Sequence, residues 1–331
     1  MIEKRKFGNT ALDVSVIGFG AWGIGGPAMA GDIPIGWGNV EDKTSIQAVH
    51  EAIDQGINFF DTADFYGLGH SEELLGKIVG NRSDIVMASK VGHRLDKDQK
   101  IYTDYAGHYI MQACEDSLKR LKREQIDFYQ LHTARVSDFT EGSCIEAMER
   151  LREQGKIRYW GVSLNTFHPE PEADYIFQNK IGDGLQLVFN VINQKAKGVI
   201  NRASEEGYGV IARMPLQFGL LTGKFSKESR FDKNDHRAFR LVPELLFEAI
   251  DALENAWKIA EKQKHNKTSF SLSFITSYPG VSTVIPGIKT PEQAVANCTD
   301  IRNLEAGDMD ELLKMYDTTF KKIVELMKKL G

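Results

Sequence analysis

Three short apolar runs in this chain each lead into a side chain able to give, take or hold a proton. Ile57-Asn58-Phe59-Phe60 is followed at once by Asp61, and Tyr66 comes five residues later in a polar, Gly-flanked loop. Met87-Ala88-Ser89 leads to Lys90, and Tyr129-Gln130-Leu131 leads to His132. A phenol with a pKa of about 10 is a poor acid at neutral pH unless a neighbour stabilises its phenolate. An ammonium does so by charge, and a carboxylate can hold and orient that ammonium. An imidazole adds a hydrogen bond that positions a substrate oxygen. Together Asp61, Tyr66, Lys90 and His132 are suited to giving a proton to a carbonyl oxygen, so something else must deliver hydride to carbon. Taken singly, each has a plainer reading as a surface lysine, a satisfied histidine or a turn-forming aspartate. Three successive runs ending in ionisable groups weaken those readings.

The four side chains meet only if the runs are neighbouring parallel strands. Strands are expected near 14–20, 57–61, 84–90, 126–132, 157–163, 185–190, 208–213 and 282–286. The second and third are continuously apolar, as strands covered on both faces are. Between them lie amphipathic helices, at Thr44–Gln55, Ser71–Val79, His108–Lys122, Phe139–Gln154, Pro169–Gln178, Lys197–Glu206, 243–264, 267–276, Pro291–Cys298 and Asp308–Lys329. Gly56, Gly155 and Gly207 follow three of these as C-terminal stops. Residues 4–13 read as a hairpin turning at Gly8-Asn9. Eight βα units favour closure over an open doubly wound sheet. The expectation is a (β/α)8 TIM barrel with an N-terminal β-hairpin cap and extra helices near the C-terminus, as one domain over residues 1–331. Its long loops, 21–43 and 214–242, fall on the face that carries function in such folds.

The totals narrow the class further. At 331 residues, 42% hydrophobic and 26% charged, the chain has the make-up of a soluble globular protein with ample core. Its net charge of −5 argues against nucleic acid or an anionic membrane as partner. No apolar run could span a bilayer and the N-terminus lacks a signal-peptide core, so a cytoplasmic setting is expected. Cys114, Cys144 and Cys298 match no metal or redox spacing and read as packing residues, and no metal is expected.

Gly18-Phe19-Gly20-Ala21-Trp22-Gly23 satisfies the GxGxxG dinucleotide fingerprint literally. That motif works by opening directly into a helix N-terminus, whereas here it runs into Gly25-Gly26-Pro27 and a long loop. The glycines are expected instead to let the end of the first strand approach a ligand.

"FFDTADFYG", "ASKVG" and the "LH" at 131–132 resemble the signature segments of the aldo-keto reductases. "RKFGNTALDVSVIGFGAWGIGG", "PLQFGLLTGKF" and "VIPGIKTPEQAVAN" are similar to the same family, in its longer-looped bacterial members, and the likeness spans nearly the whole chain. It implies that Asp61, Tyr66, Lys90 and His132 form the family's catalytic tetrad in a barrel that binds NADPH in extended form, with Gly20, Trp22 and Asp61 beside the cofactor. It also implies that Ser163 and Gln186 hold the nicotinamide carboxamide. The family's Asn directly after that Ser is Leu164 here, with Asn165 one place on. Where the family has an aromatic residue under the nicotinamide, this chain has Arg213, whose planar guanidinium can stack on a ring or pair with a carboxylate at the rim. Pro215, Leu216, Leu221, Gly223 and Lys224 fall in the family's pyrophosphate clasp. The clasp's basic end, Arg230, His236, Arg237 and Arg240, reads as a solvated or ion-paired face.

Gly287 and Lys289 precede Pro291, which opens a helix whose free N–H groups suit a phosphate. Lys289 there predicts preference for a 2′-phosphate, hence NADPH over NADH, and the resemblance implies that Gln293 and Asn297, four apart on one helix face, reach adenine. A sugar-phosphate site would explain Lys289 but not the tetrad. Trp22, Trp37, Phe65 and His93 are candidates for the wall of the substrate pocket, although Trp37 could equally anchor its loop. The expected function is NADPH-dependent reduction of a small carbonyl compound, with Tyr66 as general acid. The alternatives are an NADP(H)-binding regulatory subunit without turnover, and a barrel aldolase or isomerase using Lys90 as Schiff base. Oligomeric state is not legible.

Overall fold

The computed structural model describes residues 2–38, 40–232 and 235–330. Eight parallel strands follow one another in chain order: β1 Phe19–Gly20, β2 Phe59–Asp61, β3 Val86–Val91, β4 Ile126–His132, β5 Ile157–Ser163, β6 Gly184–Val188, β7 Gly209–Arg213 and β8 Thr283–Val284. Parallel bridges pair Ile17 with Val284 and Gly20 with Gly287, so the last strand meets the first and the sheet closes into a (β/α)8 barrel. The helices after successive strands are Asp42–Asp54, His70–Val79, Gly107–Leu121, Ser143–Glu153, Glu170–Asn179, Lys197–Glu205, Lys267–Ser277 and Pro291–Cys298. Pro243–Lys262 and a helical stretch from Ala306 to Leu330 are additional, near the C-terminus.

Local signals account for these boundaries. Gly56, at φ 94°, reverses the chain after the first helix, and its N–H returns to the Ile53 carbonyl at 2.9 Å. Pro291 sits in the first turn of its helix, where the Thr290 side chain accepts from the Gln293 N–H.

Several boundaries differ from the periodicity. The expected strand 14–20 is two pieces: Asp13–Ser15 pairs antiparallel with Lys4–Lys6 in the cap, and only Phe19–Gly20 enters the barrel. Asn58 lies behind the break, because its Oδ1 takes the Ser15 N–H at 2.7 Å in place of a strand partner. The helix expected at Phe139–Gln154 is divided by Gly142, at φ 90°, into Val136–Glu141 and Ser143–Glu153. A hairpin of His93–Leu95 with Ile101–Thr103 occupies a stretch without period-two burial. The last helix contains a π-helical segment, Tyr316–Phe320.

The barrel interior is filled from one end. Phe59, Val86, Ala88, Phe128, Ile211 and Ile285 pack with Phe7, Leu12 and Val14 of the cap. The Phe7 ring occupies space that a larger residue at either of two strand starts would need: a Cβ on Gly184 or Gly209 would lie 2.7 or 2.4 Å from it. The cap therefore stoppers the end where strands begin and leaves the other end for chemistry.

Candidate active site

Further up the strands the inward-facing positions become polar. Asp61 follows Phe59, Lys90 follows Ala88, Gln130 follows Phe128, His132 follows Gln130, and Arg213 follows Ile211, each at a spacing of two. Register sets Gln130 beside Lys90, His132 beside Ser163, and Ser163 beside Gln186. Strand parity thus gathers these side chains on one rim.

Lys90 is fully buried and uses all three of its ammonium hydrogens. Its Nζ donates to Asp61 Oδ2 at 2.5 Å, to the Thr62 carbonyl at 2.8 Å and to the Tyr66 hydroxyl at 3.2 Å. Burial alone would lower its pKa, but Asp61 and then Tyr66 outweigh burial and hold the ammonium above its ordinary value. Burial likewise pushes the Tyr66 phenol up, and Lys90 pulls it back only in part. The expected pull of the ammonium is present but does not prevail, so the phenol stands protonated at neutral pH. Tyr66 is placed by a tight turn against the first loop. A Cβ on Gly67 would lie 2.1 Å from the Gly25 carbonyl oxygen, so only glycine permits that approach.

The other carboxylate oxygen of Asp61 is also occupied. Oδ1 accepts from Gln130 Nε2 at 3.1 Å and from Gln186 Nε2 at 2.8 Å, and Gln186 Nε2 also reaches Gln130 Oε1 at 3.0 Å. The Gln186 amide nitrogen, expected at the carboxamide of a nicotinamide, is turned to the aspartate here. Gln130 was missed in the sequence, although it stands two residues before His132 on the same strand face.

The His132 ring meets Tyr66 edge-on, with centroids 6.0 Å apart, and lies parallel to His93 at 4.3 Å. Burial, then His93, Lys90 and Arg213, hold its pKa well below the usual imidazole range. His93 is pushed down to about 4 by burial, then by Arg213 and Lys90. Both rings are therefore neutral at pH 7.

Ser163 Oγ, Arg213 Nε and Asn297 Nδ2 are buried and have no hydrogen-bond partner among the described residues. Buried polar atoms are rarely left so. Their position along the rim and in the helix Pro291–Cys298 fits an extended polar ligand such as a nicotinamide dinucleotide. Arg213 Nη2 donates to the Leu164 carbonyl and to Thr166 Oγ1, both at 3.1 Å, and it pairs with no carboxylate among the described residues. Lys289 is half-buried; its N–H donates to Gln293 Oε1 at 2.7 Å, and burial, then Arg237, lower the pKa of its ammonium.

The other candidate contacts have the following partners and exposures. Gly20 gives its N–H to the Pro286 carbonyl at 2.9 Å, and a Cβ there would lie 2.9 Å from the Ile285 and Pro286 oxygens. Its close approach is to the backbone of Ile285 and Pro286, just past β8. Asn165 Oδ1 accepts from the Phe167 and His168 N–H groups, both at 2.9 Å, and so forms a turn. Leu221 is in the core, with its N–H bonded to the Leu216 carbonyl and its own carbonyl to Ser271. Gly223 makes room for Lys267, whose Cδ would be 2.1 Å from a Cβ there. Pro215 is buried, Leu216 half-buried, and Lys224 and Gly287 exposed.

The four candidate wall residues make ring contacts with one another and with Tyr66. Trp22 lies 6.1 Å from the Tyr66 ring and ties its loop by Nε1 to the Ile35 carbonyl at 3.0 Å. Trp37 meets Trp22 edge-on at 5.4 Å, and Phe65 meets His93 at 5.5 Å. The basic end of the 214–242 loop is not simply a solvated face. His236 is 1% exposed, and its ring lies 4.2, 5.1 and 5.2 Å from those of Trp37, Trp22 and Phe218. Arg240 lies 5.1 Å over Phe218; Arg230 is exposed and Arg237 pairs with Asp235. Aromatic packing is what draws His236 inward, and composition alone does not show it.

Residues 16–317 match the model of the Aldo/keto reductase family, and the chain belongs to that family. It is 31% identical over 302 residues to the uncharacterized oxidoreductase YqkF of Bacillus subtilis (strain 168), covering 89% of this chain and 90% of that one. It is 30% identical to the aldo-keto reductase YhdN of the same organism, over 89% and 87% of the two chains. The holo form of aldo-keto reductase AKR11C1 from Bacillus halodurans superposes with a TM-score of 0.78 at 25% identity, over 95% of this chain and 96% of the other. Relatives with more specific names diverge in role. One is an NADH-specific methylglyoxal reductase of Escherichia coli (strain K12), 25% identical over 94% and 97% of the chains. Another is a probable voltage-gated potassium channel subunit beta of Oryza sativa subsp. japonica, 26% identical over 89% and 90%. The family's chemistry is oxidoreduction of small carbonyl compounds with a nicotinamide cofactor.

Proposed function

We propose that this chain is an NADPH-dependent carbonyl reductase that converts aldehydes or ketones to alcohols in a reducing cytosol. The observation that carries this reading is the Lys90 ammonium, bonded at once to Asp61, the Thr62 carbonyl and the Tyr66 hydroxyl. Tyr66 gives its proton to the carbonyl oxygen, and Lys90 stabilises the phenolate that remains. Asp61, fixed by Gln130 and Gln186, keeps the ammonium aimed at Tyr66. His132, neutral at pH 7, donates a hydrogen bond to the same carbonyl oxygen and positions it. When bound, the nicotinamide supplies hydride to the carbonyl carbon. Ser163, Arg213 and Asn297, with their unpartnered buried atoms, would hold that cofactor, and Trp22 would close one side of it.

Preference for NADPH rests on Lys289. Burial and Arg237 both disfavour its charge, and a 2′-phosphate would relieve that strain by pairing with it. The NADH-specific relative makes this a point to measure. The test is loss of NADPH absorbance with an aromatic aldehyde, run beside NADH. Turnover favouring NADPH is expected. Tight NADPH binding without turnover would favour the regulatory-subunit reading, and neither binding nor turnover would refute both.

A further inference from the structure

His93 opens the His93–Leu95 strand of a hairpin and brings a second imidazole beside the tetrad. Its ring lies parallel to that of His132, with centroids 4.3 Å apart and 13° between the planes. His93 Nε2 is 2.9 Å from Thr133 Oγ1. The Thr133 hydroxyl has one proton, and that proton goes to the His132 carbonyl at 2.6 Å. The Tyr105 hydroxyl donates to the same carbonyl, also at 2.6 Å, and fixes the backbone there. Thr133 can therefore only accept from His93, so Nε2 carries the imidazole proton. In a neutral ring that leaves Nδ1 with a bare lone pair. Nothing among the described residues hydrogen-bonds to Nδ1. The pocket thus presents two neighbouring imidazoles of unlike character, one serving the reacting oxygen and one an acceptor in search of a donor.

We propose that His93 determines specificity in this pocket by accepting a hydrogen bond from a hydroxyl on the carbon next to the reacting carbonyl. The proposal rests on the carbonyl-reductase reading and narrows its substrate class to α-hydroxy aldehydes and α-hydroxy ketones, small sugars among them. With the ring centroids 4.3 Å apart, both imidazoles are within reach of neighbouring atoms of one small substrate. An α-diketone places oxygen at the same position but no proton, so it gains nothing from an acceptor. A plain alkyl carbonyl leaves Nδ1 unpaired in a partly buried site, which is how a polar pocket rejects an analogue.

The test compares kcat/KM, with NADPH, for hydroxyacetone, butanone and methoxyacetone, with benzaldehyde as the general substrate. Hydroxyacetone should exceed butanone by about tenfold or more, the worth of one neutral hydrogen bond in a partly buried site. Methoxyacetone, which keeps the oxygen and loses its proton, should fall with butanone. In His93→Phe, which keeps a flat ring beside His132, the hydroxyacetone-to-butanone ratio should collapse towards one; in His93→Gln, which restores an acceptor, it should partly recover. A ratio unchanged in His93→Phe, or a wild-type protein that treats the three ketones alike, overturns the proposal while benzaldehyde turnover keeps the reductase reading intact. Should His93→Phe fail to fold, the methoxyacetone comparison on the unaltered protein decides. Absence of turnover with any carbonyl, benzaldehyde included, overturns the parent reading instead.

Discussion

Lys90 has no hydrogen to spare, and that restricts what it can do. A Schiff-base lysine needs a free, deprotonated amine, whereas this ammonium is held charged by Asp61 and spent on three acceptors. The geometry therefore disfavours the aldolase alternative, and on the proposed reading proton transfer falls to Tyr66. Tyr66→Phe should lower kcat by about 10²- to 10⁴-fold, the usual worth of a positioned general acid, and leave NADPH affinity within about twofold. Stopped-flow turnover with fluorescence titration of NADPH separates the two quantities; loss of both would make Tyr66 a packing residue. Lys289→Ala should weaken NADPH by roughly tenfold or more, as loss of a charge-assisted bond does, while NADH changes little. Equal weakening of both cofactors would exclude a 2′-phosphate partner.

At the scale of the elements, the support beneath the tetrad is as informative as the tetrad. Gln130→Leu would leave Asp61 Oδ1 with only Gln186 and should cost on the order of 1–3 kcal/mol in denaturant unfolding, with a fall in kcat. A stable variant of unchanged kcat would mean that the Gln130 bond is dispensable. Phe7→Ala should cost about 3–5 kcal/mol, because Gly184 and Gly209 offer nothing to refill the space. A shift in the urea midpoint at constant slope would register it.

Asp61, Lys90 and His132 were legible as neighbours because each ends an apolar run, and strand order alone brings such ends together. Gln130 and His236 were not legible. A glutamine inside a strand looks like an ordinary polar position until parity is followed, and an imidazole in a basic loop gives no sign that Trp22, Trp37 and Phe218 will surround it. Gly20 is ambiguous for a related reason. A glycine announces close approach without saying to what, and here the nearest backbone is that of Ile285 and Pro286.

For the molecule as a whole, buried imidazoles contribute to the loss of stability in acid. His93 and His236, ordinarily near 6.5, are each pushed down to about 4, chiefly by burial. Between those values the unfolded chain binds protons that the folded chain refuses, so stability is full above pH 6.5 and is lost as pH falls towards 4. Each group accounts for at most about 3 kcal/mol of that loss. His236→Phe should flatten the decline in melting temperature between about pH 6.5 and 4.5, since it removes one such proton. An unchanged slope would show that His236 leaves its aromatic surroundings before it titrates.

Closure of the barrel also has a temporal side. Gly20 reaches its partner Pro286 only when nearly the entire polypeptide exists, and Phe7 cannot seat until Gly184 and Gly209 are present. At about 5–20 residues per second, a ribosome would hold the earliest strand unpaired on one side for on the order of tens of seconds. Through that interval the nascent chain is an open sheet with an exposed edge. Its first residues, though made first, are among the last to find their place.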